Sequence, residues 1–200
     1  MNRAHILVGF TLVLGLLSGC YSIGQNFVRP PVEQFELKRT TQGQVLATVG
    51  APESISHTER NGKRIERFQY SYYTAAGFAA GIGPVGRMAS FFFVDGLLIG
   101  YLYTSSFPGD STDFLVESVS RIEKGKSTRG DVLALLGPPH GVVLFPLADG
   151  EGNSLIRYSY TGATGLMGST GFVSKDALIT LNDKGVVIDI NVSSQTDSRK

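Results

Sequence analysis

A thirteen-residue pattern occurs twice in this chain, 87 residues apart. The first copy reads Thr40-Thr41-Gln42-Gly43-Gln44-Val45-Leu46-Ala47-Thr48-Val49-Gly50-Ala51-Pro52, and the second Ser127-Thr128-Arg129-Gly130-Asp131-Val132-Leu133-Ala134-Leu135-Leu136-Gly137-Pro138-Pro139. Internal repetition constrains a fold strongly, because both copies must satisfy the same local geometry. Each copy predicts a short helix with legible ends. Thr41 with Gln44, and Thr128 with Asp131, have the spacing of a capping box, in which side chain and backbone amide satisfy each other. Val45, Leu46 and Val49, and Val132, Leu133, Leu135 and Leu136, supply an apolar face. Gly50 and Gly137 read as left-handed helix stops, each with a proline two residues on.

The likeness continues downstream. Gln69-Tyr70-Ser71-Tyr72 matches Arg157-Tyr158-Ser159-Tyr160. A glycine-rich apolar loop follows in each copy, at 74–90 and 162–174. Each copy then closes with a hairpin signalled by Asp95-Gly96 or by Lys184-Gly185 between β-branched or aromatic runs. Asn61-Gly62 predicts a further hairpin joining 53–59 to 63–73, and 148–153 plays that part in the second copy. A preceding helix is legible over 113–123, but only as a stub at 33–37. The expected class is therefore α+β: two tandem helix-helix-antiparallel-sheet repeats, at 33–107 and 112–192, followed by a polar tail at 193–200. Joining them edge to edge would hide one edge of each and give one continuous sheet of six to eight strands with helices on one face.

The run from Ile122 through Gly125, Thr128, Asp131-Val132 and Leu136-Gly137-Pro138-Pro139, with Tyr158-Ser159-Tyr160 and Leu181-Asn182-Asp183-Lys184-Gly185, resembles the SmpA/OmlA family of BamE-like lipoproteins. The resemblance implies a helix-turn-helix with an antiparallel sheet, and a role in the outer-membrane assembly machinery. A tandem pair of such units is similar in architecture to the β-lactamase inhibitor protein. The family carries one copy where this chain has two.

The first twenty residues predict how the chain is held. Arg3 is followed by an apolar stretch over 6–17, and then by Leu17-Ser18-Gly19-Cys20. This is a secretory signal with a small-residue cleavage site at 1–19. The end of it resembles the lipobox of bacterial lipoproteins, which implies cleavage before Cys20 and acylation of its sulfur and amine. Several acyl chains make a stable anchor where one alone is marginal. Tyr21 stands where aspartate would favour inner-membrane retention, which points to the periplasmic face of the outer membrane. Residues 20–32, with Gly24, Pro30 and Pro31, read as a lipidated tether.

Other features exclude functions. Loss of Arg3 with the signal leaves 17 basic and 17 acidic residues, so no field exists to attract nucleic acid. Cys20 is the single cysteine, which rules out an internal disulfide and cysteine metal clusters. Gly81-Ile82-Gly83-Pro84-Val85-Gly86 spells a dinucleotide fingerprint, but Pro84 and the strand-like Phe91-Phe92-Phe93 follow where a helix is required. His57 and His140 have no nucleophile elbow or spaced partner. The expectation is no enzyme, no catalytic residues, no metal and no cofactor.

Two loops stand out. Residues 68–86 are uncharged and carry Phe78 and Ile82; the matching loop carries Leu166 and Met167. Large apolar side chains in glycine-rich loops predict an interaction surface, for a partner or for lipid. Glycines and Pro84 oppose a spanning helix there. The sequence thus predicts a non-enzymatic outer-membrane lipoprotein, anchored through Cys20 and facing the periplasm. It would bind another envelope protein in outer-membrane assembly or envelope integrity. The second reading is an inhibitor or sensor that grips a periplasmic enzyme on its sheet.

Overall fold

The structure is a computed structural model and describes residues 22–80, 83–164 and 171–197. Nine strands are ordered along the chain: β1 (Ser22–Gly24), β2 (Ser54–Arg60), β3 (Lys63–Thr74), β4 (Val85–Val94), β5 (Leu97–Ser105), β6 (Gly141–Leu144), β7 (Ser154–Thr164), β8 (Gly171–Leu181) and β9 (Val187–Asp197). They form one antiparallel sheet in the order β1-β3-β4-β5-β6-β7-β8-β9, with β2 pairing β3 on the same edge as β1. Where the sequence suggests only a tether, β1 extends the sheet and Phe27 packs on Tyr70 at 5.9 Å between ring centroids.

The fold is mainly β, which corrects the expected α+β class of two tandem helix-helix-sheet repeats and its six to eight strands. Among the described residues two eight-residue helices occur, α1 (Gln42–Val49) and α2 (Arg129–Leu136), beside three short 3-10 turns. The leading helix of each supposed pair does not form. Residues 113–123 yield only a 3-10 turn, Val116–Arg121, and 33–37 only Val32–Gln34. The cause is local. Val116, Ser118, Val119 and Ser120 are weak helix formers, and Asp113 spends its carboxylate on Phe114 N–H and on Lys175 instead of capping a helix.

α1 and α2 form where their caps are complete. Thr41 N–H donates to Gln44 Oε1 at 2.8 Å, and Thr128 N–H to Asp131 Oδ2 at 2.7 Å; the reciprocal bonds close both boxes. Those Thr128 donors hold the Asp131 carboxyl below the usual carboxylate range. Thr41 and Thr128 also bridge to Leu97 and Val186, which pins each helix start beside a hairpin turn.

Both helices lie on one side of the sheet. Val45 seals a cluster of Phe68, Tyr70, Phe91, Phe93, Leu98 and Tyr103. Val132 seals a second, with Ile156, Tyr158, Ala177, Ile179, Leu181 and Val187. Each fully buried large side chain here contributes roughly 1.5–3 kcal/mol. Between the clusters the sheet narrows to a seam of three residue pairs, Gly100–Val143, Tyr101–Val142 and Leu102–Gly141.

Candidate functional site

The register places Arg67, Gln69, Met88, Ser90, Leu102, Thr104, Arg157, Ser159, Thr161 and Asp176 on the opposite side of the sheet, away from α1 and α2. This face is largely polar, as alternation along antiparallel strands with one buried side demands. It is also curled. Arg60 donates to Asp149 at 2.8 Å, and Asn61 Nδ2 to the Pro146 carbonyl at 3.0 Å, so the β2–β3 turn reaches the β6–β7 connection. Ile65, on the same side, is fully buried.

A cleft of about 190 Å³ opens in the middle of this face, bounded by Met88, Ser90, Leu102, Thr104, Arg157 and Thr161. It exists because β6 is only four residues long. Beyond Gly141, β5 and β7 lose their shared strand, and the backbone and ring of His140 with the side chain of Thr112 stand in for it. His140 accepts from Tyr103 N–H at 2.7 Å through its carbonyl, donates its own N–H to Arg157 O at 3.0 Å, and takes Ser159 N–H on Nδ1 at 3.0 Å. Thr112 Oγ1 accepts from Ser105 N–H at 3.1 Å and donates to Ser159 O at 2.8 Å. Burial, aided by the Arg29 cation, pushes the His140 imidazole down to about 4. The ring is therefore neutral near pH 7, and with Nδ1 accepting, its proton sits on Nε2.

Beside the cleft, Arg157 grips Asp176 through two parallel bonds of 2.8 and 2.9 Å. This fork is fixed by planar geometry on both sides and offers a rigid charged feature beside the cleft. The second histidine, His57, sits 2.6 Å from Glu66, which also accepts from Gln42. His57 and His140 are thus both engaged in structural bonds. Among the described residues, no group of three or more His, Cys, Asp or Glu could hold a metal.

Sequence reasoning had no signal for a third polar cluster, on the helix side near β1. Arg87 donates to Phe27 O at 2.7 Å, lies 3.7 Å from Asp110, and stacks over the Phe107 ring at 4.2 Å. Tyr103 donates to Asp110, and Arg29 lies over the Tyr103 ring at 5.2 Å. The cluster bolts the segment after β1 to the sheet. Only the three-dimensional approach of 27, 87, 103 and 110 creates it.

The residues singled out from sequence are placed less completely. Cys20, Ile82, Leu166, Met167 and the side chain of Phe78 lie outside the described residues. Among the described helices, none is long and apolar enough to cross a membrane.

No family model matches the sequence, and no curated relative does. The resemblance to SmpA/OmlA lipoproteins therefore rests on its motif residues alone. Among solved structures, a Streptococcus mutans protein named by inference as a beta-lactamase inhibitor protein has a TM-score of 0.43 and 8% identity, over 80% of this chain and 91% of that one. A likeness of that size identifies neither family nor function.

Proposed function

We propose that this chain is a non-catalytic lipoprotein of the cell envelope that binds a folded protein partner across the helix-free face of its sheet. One observation carries the reading: a broad polar face, curled at one edge and cleft at its centre, is left open while α1 and α2 both pack on the other side. Such a surface offers hydrogen-bond donors and acceptors at fixed spacing, with the Arg157–Asp176 fork as a rigid feature. His57 and His140 are each engaged in a structural hydrogen bond.

Capture of a periplasmic enzyme, as inhibitor or sensor, fits this geometry best, because a single concave face suits a convex globular partner. A role in outer-membrane assembly is the second reading, favoured by the motif resemblance. Anchoring through Cys20 would hold the protein at the periplasmic face of the outer membrane in either case.

Met88 and Thr161 are exposed on the open face, and Leu46 and Ala134 are exposed on the helices. The test compares Met88→Glu with Thr161→Glu against Leu46→Glu with Ala134→Glu, after crosslinking in intact envelopes. Loss of the partner from the first pair alone, at unchanged melting temperature, supports the open face. Loss from the helix pair alone sinks it. A hydrolase partner whose activity falls on adding the purified chain identifies an inhibitor; a barrel-assembly complex identifies the second role.

A further inference from the structure

The two ends of the sheet differ in charge. At one end, every hairpin turn carries charge: Glu59, Arg60, Lys63 and Arg64 around β2–β3, Asp95 at β4–β5, Asp149 and Glu151 at β6–β7, Asp183 and Lys184 at β8–β9. The other end gathers the start of β1, the β3–β4 connection, the exit of β5, the β7–β8 connection and the end of β9, as the pairs Ser22–Thr74, Thr74–Val85, Arg87–Ser105, Thr164–Gly171 and Phe172–Asp197 establish. Each of the five segments reaching it runs uncharged: 21–28, 68–86, 96–109, 158–174 and 190–196. Of the charges nearest this end among the described side chains, Arg87 and Asp110 pair with each other, as do Lys175 and Asp113, and Arg29 lies over the Tyr103 ring.

Apolar surface is exposed at the same end. Ile23, Tyr73 and Phe172 are about half exposed, at 49%, 44% and 53%. A Cβ built on Gly83 would lie 3.1 Å from Ala163 Cβ, so the β3–β4 connection touches β7 and the end presents one joined surface. Ser22 is two residues from Cys20, so the anchor leaves from this end as well.

We infer that the uncharged end of the sheet rests on the bilayer into which Cys20 is anchored, with the strands standing away from the membrane. This rests on acylation of Cys20 as proposed above. The occupant is lipid because uncharged backbone with exposed Ile, Tyr and Phe suits the headgroup–acyl boundary, where aromatic rings sit readily and unpaired charge does not. Strands of eleven residues, at about 3.3 Å each, lift the charged turns roughly 35 Å from the lipid. The open face then stands side-on to the membrane, clear for a soluble partner.

The experiment uses the mature lipoprotein purified in detergent, weighed to establish acylation, and reconstituted into phosphatidylethanolamine–phosphatidylglycerol vesicles. Acylation blocks the one native thiol, so Ala76→Cys or Asp183→Cys each accepts a single nitroxide. Ala76 and Asp183 are both exposed and lie at opposite ends of the sheet. The expected result is a label at 76 relaxed by oxygen and shielded several-fold from a water-soluble nickel chelate, with the label at 183 open to nickel. Equal nickel access at both sites, or the reverse order, overturns the orientation and leaves the anchor standing. A protein without lipid mass on Cys20 overturns both, and is recognised before reconstitution.

Discussion

The phenol of Tyr158 donates to the carbonyl oxygen of Gly137 at 2.7 Å, tying the end of α2 to the middle of β7. Tyr70 makes the same bond to Gly50 at 2.9 Å, tying α1 to β3. Gly137 has φ 78° and ψ −165°, and Gly50 φ 94° and ψ −169°. Neither is the left-handed helical stop expected from sequence. Both lie in an extended region that essentially only glycine occupies.

Removing the phenol oxygen should therefore loosen the helix without opening a cavity. Tyr158→Phe is expected to lower stability by about 1 kcal/mol, the usual net worth of a buried hydrogen bond. Gly137→Ala should cost on the order of 2 kcal/mol through backbone strain alone, since nothing lies within 4 Å of the added Cβ. Urea midpoints at constant slope measure both. An unchanged midpoint for Gly137→Ala would mean that the backbone there is not held at positive φ.

His140 and Tyr158 are among the groups that limit the pH range of stability. His140 is pushed to about 4 in the folded chain, against 6.5 when free. Its contribution is full above pH 6.5 and is lost as pH falls towards 4, where the buried ring must take a proton. Allowing for its partial exposure, the loss is on the order of 2 kcal/mol. Tyr158 is pushed up to about 12 from 10.0, so its contribution is full below pH 10 and is lost as pH rises towards 12. Thermal unfolding between pH 7 and 4 should show a slope that His140→Gln flattens. A slope unaffected by that substitution would assign the acid limit to carboxylates instead.

Much of the helical half of this fold is legible in residues 40–52 and 127–139, because capping boxes and glycine stops are short-range devices. Asn61-Gly62 and Asp95-Gly96 mark hairpins for the same reason, and Asn61 and Asp95 take positive φ as such turns require. The helices expected at 33–37 and 113–123 form only as 3-10 turns, the second because Val116, Ser118, Val119 and Ser120 are weak helix formers. The cleft was not legible at all. It depends on β6 beginning only at Gly141 and on His140 and Thr112 meeting Ser159 across 19 and 47 residues. A lone histidine carries no such information in sequence.

Arg87 offers a test of the bolt between β1 and the sheet. Its side chain is 14% exposed, its partner Asp110 19%, and its Nε is buried without a hydrogen-bond partner. Arg87→Met leaves Asp110 buried without its cation and is expected to cost roughly 3 kcal/mol. Adding Asp110→Asn removes the stranded charge and should restore at least half of that loss. Melting temperatures of the single and double variants decide it. An additive double variant would show that the two side chains are not coupled.

The seam between β5 and β6 is only three residue pairs wide, and two of the three contain glycine. A Cβ on Gly141 would fall 2.7 Å from the Tyr101 carbonyl oxygen and 2.3 Å from Leu102 Cδ2; one on Gly100 would fall 2.8 Å from Val143 Cα. Leu102 can turn away, but backbone atoms cannot without parting the strands. Gly141→Ala should therefore destabilise the fold by about 2 kcal/mol, in the range of overpacked cores. It should also weaken the coupling between the two apolar clusters, whose strands meet at this seam. Calorimetry is the direct measurement: the wild type is expected to unfold in one transition and Gly141→Ala in two, as each cluster melts separately. A single transition at unchanged temperature would mean that the strands absorb the methyl group and that the seam is not the weak line of the sheet.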